Sequence, residues 1–151
     1  MPAHTQSPAH PRFARRDAAP LAFRCVRGPG GLGAASVHLR GELDLATAPQ
    51  LEQTLRKAQR DASLVVLDLR ELEFMDCAGL HVIVDAAEHA RRDGRRLIVL
   101  RGPAQVDRLF TLIGAADVVE ISDNDPRQPA TDQGLPQVAA ANGARSLLAA
   151  P

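Results

Sequence analysis

A single α/β domain, a mixed sheet with helices packed on it in the order β-β-α-β-α-β-α-β, is the fold class that this 151-residue sequence predicts. Three observations carry the prediction. The runs Leu64–Leu69 and Leu97–Leu100 are nearly all apolar, as strands covered on both faces are. The segments beside them repeat apolar residues at helical spacing. An alternating pair of segments ahead of the first helix has the period of half-buried strands. Helices alternating with buried strands build a layered α/β fold.

The elements follow in order. Leu21, Phe23 and Cys25 alternate with Ala22, Arg24 and Val26, which predicts a first strand. Gly28-Pro29-Gly30-Gly31 is expected to break it, and Val37 and Leu39 resume the alternation, so the two strands read as a hairpin with a loose loop. Thr47-Ala48-Pro49-Gln50 starts the first helix: Thr47 as cap, Gln50 three residues on as in a capping box, Pro49 in the first turn. Leu51, Leu55 and Ala58 give that helix its apolar stripe. After the buried run at 64–69, a short loop with Phe74-Met75 leads to a second helix from Asp76 to Asp93, stopped by Gly94. Gly102-Pro103 opens a third helix with Val106, Leu109, Phe110 and Ile113 on one face and Gly114 as its stop. Val118–Ile121 is the last short strand. The folded part is expected over 20–123, between a disordered arm at 1–19 and a flexible tail at 124–151, in which a short helix fits Val138–Leu148.

Composition excludes several functions. Eighteen basic and eighteen acidic residues balance, without the basic surplus of a nucleic-acid binder, and there is no Trp or Tyr to stack on bases. The core must be built from Val, Ile, Leu and Ala. Lys57 is the sole lysine, and with the abundance of Ala and Arg it points to a GC-rich, bacterial coding sequence. Cys25 and Cys77 make neither a disulfide framework nor a zinc site. No apolar run reaches the roughly 18–20 residues of a membrane span. A cytoplasmic protein without membrane insertion is expected. Phosphate-binding loops and nucleophile elbows are absent from the sequence, and no cofactor, metal or enzymatic activity is expected. A receiver domain needs a lysine near its end, whereas Lys57 falls in the first helix.

The most informative stretch is Val65–Val84, VVLDLRELEFMDCAGLHVIV. A strand ending in Asp68-Leu69 leads through Phe74-Met75 into Asp76-Cys77-Ala78-Gly79-Leu80, where a helix begins. Gly41-Glu42-Leu43-Asp44 precedes the first helix, and Pro103–Gly114 contains Leu109-Phe110, separated by three residues from Gly114, in a third helix. These three elements, in this order, resemble the STAS family of anti-sigma factor antagonists. The resemblance implies a protein that binds an anti-sigma factor with a histidine-kinase-like ATPase fold, a serine/threonine kinase, and so frees a sigma factor. It also implies that the kinase phosphorylates a Ser or Thr at the start of the second helix and thereby ends binding. Here the first Ser position is Cys77 and the acceptor position is Ala78, which has no hydroxyl, so the usual off-switch is expected to be missing. Similar domains also serve as accessory subunits of lipid-transport ABC complexes, and a non-switching decoy of anti-sigma kinases fits the same residues.

At 100° per residue the second helix turns Leu80, Ile83, Val84 and Ala87 to the core, and Ala78, Val82, Asp85 and His89 outward with His81 beside them. The expected partner-binding residues are Asp44, Asp76, Cys77, Ala78, Gly79, His81, Val82 and Asp85. Asp44 and Asp76 read as a loop organiser and a helix cap rather than a catalytic pair. Cys77 stands at a helix N-terminus, where the dipole favours a thiolate and a redox role is open. His81, Asp85 and His89 read as a solvated stripe, since two histidines eight residues apart are too far for one ion.

Overall fold

A computed structural model describes residues 22–128. Its elements are β1 (Arg24–Gly30), β2 (Ala34–Leu43), α1 (Ala48–Asp61), β3 (Leu64–Met75), α2 (Cys77–Arg92), β4 (Arg96–Leu100), α3 (Ala104–Leu112), a 3-10 turn (Ala115–Asp117) and β5 (Glu120–Ser122). One five-stranded sheet runs in the order β1-β2-β3-β4-β5. β1 is antiparallel to β2, and β2 through β5 are mutually parallel. The order of elements along the chain and the mixed sheet are those predicted. The arm at 1–19, Leu21 and the segment Val138–Leu148 lie outside the described residues.

Each parallel crossover steps the same way across the sheet, so right-handed connections put α1, α2 and α3 on one face. The core lies between them: Val37, Leu39, Val65, Leu67, Leu69, Leu97 and Val99 meet Leu51, Leu55, Leu80, Ile83, Val106 and Phe110. These strand residues alternate along the chain, as a pleated sheet requires. Aliphatic side chains fill the space, with Phe110 the one fully buried aromatic ring among the described residues.

Several local expectations are corrected. The hairpin loop is tight, not loose: Gly28, Pro29 and Gly30 stay in β1 and pair with Ser36, Ala35 and Ala34, while Gly31-Leu32-Gly33 makes the turn. Pro29 is tolerated because β1 is an edge strand. Gly30 is required there because a Cβ would collide with the Ala34 backbone. β3 continues to Met75 where a loop was expected, pairing Phe74 with Glu42 and Met75 with Leu43 after two register shifts. Thr47 stands at the cap position of α1 but makes no side-chain cap bond. Ile113, expected in the core, is exposed at the C-cap of α3, and Val118-Val119 precede the final strand rather than form it. Asp125, in the segment assigned to the tail, is buried and paired with Arg127.

Candidate functional site

The site forms where β2 runs into α1 and β3 runs into α2, two connections at the same end of adjacent parallel strands. Asp44 closes the first. Its Oδ1 accepts the backbone N–H groups of Ala46 (2.9 Å) and Thr47 (3.0 Å). The Thr47 hydroxyl accepts the Asp44 N–H at 2.9 Å and donates to the Glu42 carbonyl at 3.2 Å. Thr47 is thus spent on the loop before it, the reason that the capping box read from Thr47 and Gln50 does not form.

Asp76 closes the second and joins it to the first. It is the N-cap of α2, with Oδ1 accepting the Gly79 N–H at 3.0 Å. Its other oxygen, Oδ2, accepts the Leu45 N–H at 3.1 Å, and its own N–H donates to the Leu43 carbonyl at 3.0 Å. One carboxylate therefore fixes the start of α2 against the loop ahead of α1. Asp44 and Asp76 are the loop organiser and the helix cap read from the sequence, each engaged with backbone donors.

The surface around this junction is apolar at its centre. Leu45 is 75% exposed and Phe74 48% exposed, Cys77 is exposed and Ala78 half-buried. Neither Leu45 nor Phe74 was among the partner-binding residues expected from the sequence, although Phe74 was read in the motif ahead of Asp76. The signal was available at Leu45, a large apolar residue in the loop between Asp44 and Thr47 that serves neither a helical nor a strand period. Gly79 lies beneath this surface, not on it: it is buried, and a Cβ there would stand 2.5 Å from Leu43 Cγ. His81 and Asp85 are exposed and Val82 is half-buried. They do not form a free outward stripe with Ala78, because α1 lies alongside. A groove of about 540 Å³ runs between the two helices, lined by Glu52 and Arg56 on one side and His81, Val82, Asp85 and His89 on the other. Below it, Gln59 Nε2 donates to the Ala86 carbonyl at 2.8 Å. On the core side, Leu80, Ile83 and Ala87 are buried as predicted, and Val84 is half-buried.

A second polar cluster lies away from this end. His38 Nδ1 is 3.2 Å from Asp68 Oδ2, and Arg70 donates to both Asp68 oxygens through Nε (2.9 Å) and Nη2 (2.6 Å). Arg127 grips Asp125 in the same two-pronged way. Burial alone raises the Asp68 carboxyl, but the Arg70 hydrogen bonds and the Arg70 and His38 charges outweigh it and hold it below its ordinary value. Hydrogen bonds from Arg127, against a smaller effect of burial, lower Asp125 likewise. Among the described residues no group of three His, Cys, Asp or Glu side chains is placed to hold a metal, and no helix is long and apolar enough to cross a membrane.

A mixed sheet with all the described helices on one face, and a second crossover helix capped by an aspartate tied to the neighbouring loop, defines a single domain of layered α/β type. The chain belongs to the STAS domain family, whose pattern matches residues 28–125. It is 32% identical over 88 residues to an anti-sigma-B factor antagonist of Listeria monocytogenes, covering 58% of this chain and 77% of the relative. A solved anti-sigma factor antagonist from Mycobacterium paratuberculosis superposes with a TM-score of 0.63 at 27% identity, over 70% of this chain and 90% of that one. The unphosphorylated form of the antagonist SpoIIAA shares the fold, with a TM-score of 0.55 at 18% identity, over 83% of this chain and 97% of its own. The family expected from the three motifs is the family found, and these relatives bear the names of regulatory proteins.

Proposed function

We propose that this chain is a non-enzymatic anti-sigma factor antagonist that docks on an anti-sigma factor of ATPase fold through the junction of the β2–α1 loop and the start of α2. The observation that carries the reading is the Asp76 bridge. It holds exposed Leu45 beside Cys77 and Ala78, giving a small apolar centre fixed by backbone hydrogen bonds. Apolar anchors held rigid before contact cost little ordering on binding. Asp44 and Asp76 occupy their backbone donors, leaving His81 and Asp85 as the polar flank.

Position 78 sits within this centre, where a phosphoryl group would add about −1.5 to −2 charge and its hydration shell. Ala78 carries no hydroxyl, so the protein binds without that switch and stays competent whenever it is present. The test is affinity capture from bacterial cytoplasm with the partners identified by mass spectrometry, comparing wild type with Ala78→Asp and Leu45→Asp. Wild type is expected to retain an ATPase-fold anti-sigma protein that both variants lose. Retention of a transporter ATPase instead, or equal capture by all three forms, would overturn the reading.

A further inference from the structure

The large apolar side chains exposed among the described residues gather at two ends of the domain, Val26 on the β1 edge excepted. Leu45 and Phe74 stand at the Asp76 junction. Leu32, Leu112 and Ile113 stand at the opposite end, where the parallel strands begin and the three helices finish. Main-chain bonds line up the loops of that end. The Ser63 N–H donates to the Gly33 carbonyl at 2.8 Å, and the Arg96 N–H donates to the Ser63 carbonyl at 2.9 Å. The β1–β2, α1–β3 and α2–β4 turns therefore lie side by side, and the end of α3 comes next in the row. Leu32 is fully exposed, and it is the one described residue other than glycine with a positive φ, +40°. That backbone region suits glycine. A leucine there packs on nothing and gains the fold nothing, so its reason lies outside the fold.

Between these apolar tips the end is basic. The α2–β4 turn reads Arg91-Arg92-Asp93-Gly94-Arg95-Arg96. Lys57 and Arg60 lie in the last turns of α1, and Arg108 lies one turn ahead of Leu112 on α3. Three carboxylates of this end are engaged: Asp61 by Arg27, Glu88 by Arg92 and Glu120 by Arg96. Asp93 and Asp117 remain. Against them stand Lys57, Arg60, Arg91, Arg95 and Arg108, none of which has a carboxylate partner among the described residues. The junction end has the reverse balance, with Asp44 and Asp76 bonded to backbone N–H groups and Glu73 exposed without a cation. Aliphatic tips set among arginines fit one kind of partner. A nucleic acid rewards the arginines but gives leucine nothing to bury against, and there is no Trp or Tyr to stack on bases. An anionic bilayer rewards both, since cations gather at its negative surface and aliphatic groups reach the boundary of its acyl chains.

We propose that this end of the domain is a peripheral binding site for an anionic lipid surface. Leu32, Leu112 and Ile113 reach the acyl boundary, and Arg60, Arg91 and Arg95 meet the phosphate headgroups. Bound this way, the acidic junction points away from the membrane and stays open to its own partner. The proposal is independent of what docks at that junction.

The test sediments the full chain with sucrose-loaded vesicles of phosphatidylcholine alone or mixed with phosphatidylglycerol. Wild type should bind the phosphatidylglycerol vesicles roughly tenfold more strongly, and added salt should weaken that binding. Leu32→Gly removes one apolar tip at a position whose backbone favours glycine, so urea unfolding should show no loss of stability. Its vesicle binding should nevertheless fall roughly tenfold. Arg91→Gln/Arg95→Gln should lower binding by about as much or more. Val26→Thr, on the β1 edge away from this end, should leave it unchanged. Equal binding of wild type to both kinds of vesicle would overturn the proposal. So would undiminished binding in either the Leu32→Gly or the arginine variant. Inorganic polyphosphate and a DNA oligonucleotide are run beside the vesicles. Binding to either that equals vesicle binding and ignores Leu32→Gly would assign this end to soluble polyanions, again overturning it.

Discussion

Gly79 occupies the point where the first turn of α2 meets β2, and a Cβ there would press on Leu43, itself fully buried. Gly79→Ala should gain helix propensity but lose more to overpacking, a net destabilisation of about 1–3 kcal/mol in urea unfolding. A neutral result would mean that Leu43 has room to move aside. Asp76→Ala removes the α2 cap and the Leu45 tether together, and should cost about 1–2 kcal/mol while Asp76→Asn costs less. The two cysteines should separate under alkylation. Cys77 is exposed, whereas burial raises the Cys25 thiol, so iodoacetamide at mildly alkaline pH should modify Cys77 first. Faster reaction at Cys25 would contradict its placement. Ala78→Ser returns a hydroxyl to the junction. Incubated with a cognate anti-sigma kinase and labelled ATP, it should take up phosphate where wild type does not, and uptake by wild type would show that another hydroxyl serves as acceptor.

At the scale of the element, legibility in the sequence followed how many signals a segment carried. α2 was readable to within a residue because Asp76 caps it, apolar residues recur inside it and Gly94 follows it at a φ of +67°. Gly94→Ala should therefore destabilise the chain by about 1 kcal/mol, measured by thermal or urea unfolding. The start of α1 was placed correctly for an incomplete reason. Thr47 has the chemistry of a cap, but Asp44 three residues earlier competes for its hydroxyl, a tertiary outcome that the local pattern does not contain. β1 was misread because glycine and proline are turn formers in isolation, while an edge strand can absorb both. β3 was cut short because residues 70–75 alternate imperfectly across two register shifts. On α2, periodicity alone separated core from surface but did not tell which surface α1 would flank. Val82 and Asp85 consequently border a groove, and Leu45, which no period explains, stands in the open.

Across the whole molecule, the sheet order and the side on which the helices lie follow from short right-handed crossovers, which is why the sequence sufficed for the fold. The polar cluster was not foreseen, because it joins residues from β2, β3 and the segment after β5, and no short motif spans them. It gives the domain an acid sensitivity. Asp68 and Asp125 are both held below the ordinary carboxylate range, so their contribution is complete above the unfolded pKa of about 3.9 and is lost as the pH falls through the lower folded values. Unfolding free energy should accordingly be flat toward neutral pH and fall below about pH 4. An Asp68→Asn/Asp125→Asn double variant should be less stable at pH 7 and show a shallower acid decline in urea titrations followed by circular dichroism. An unchanged slope would remove these two carboxylates from the account. The Arg70 bond to Asp68 is partly buried, and its loss should cost about 1–2 kcal/mol.

The Asp76 bridge has one more implication, for how such a domain drifts over generations. Both of its oxygens hold main-chain N–H groups, those of Leu45 and Gly79, and neither depends on which side chains stand at 77 and 78. The contour presented to a partner is thereby uncoupled from the chemistry displayed on it. On the proposed function, exchanging a hydroxyl for a hydrogen at position 78 would leave that contour in place while removing the modifiable group, and so turn a reversible regulator into a constitutive one.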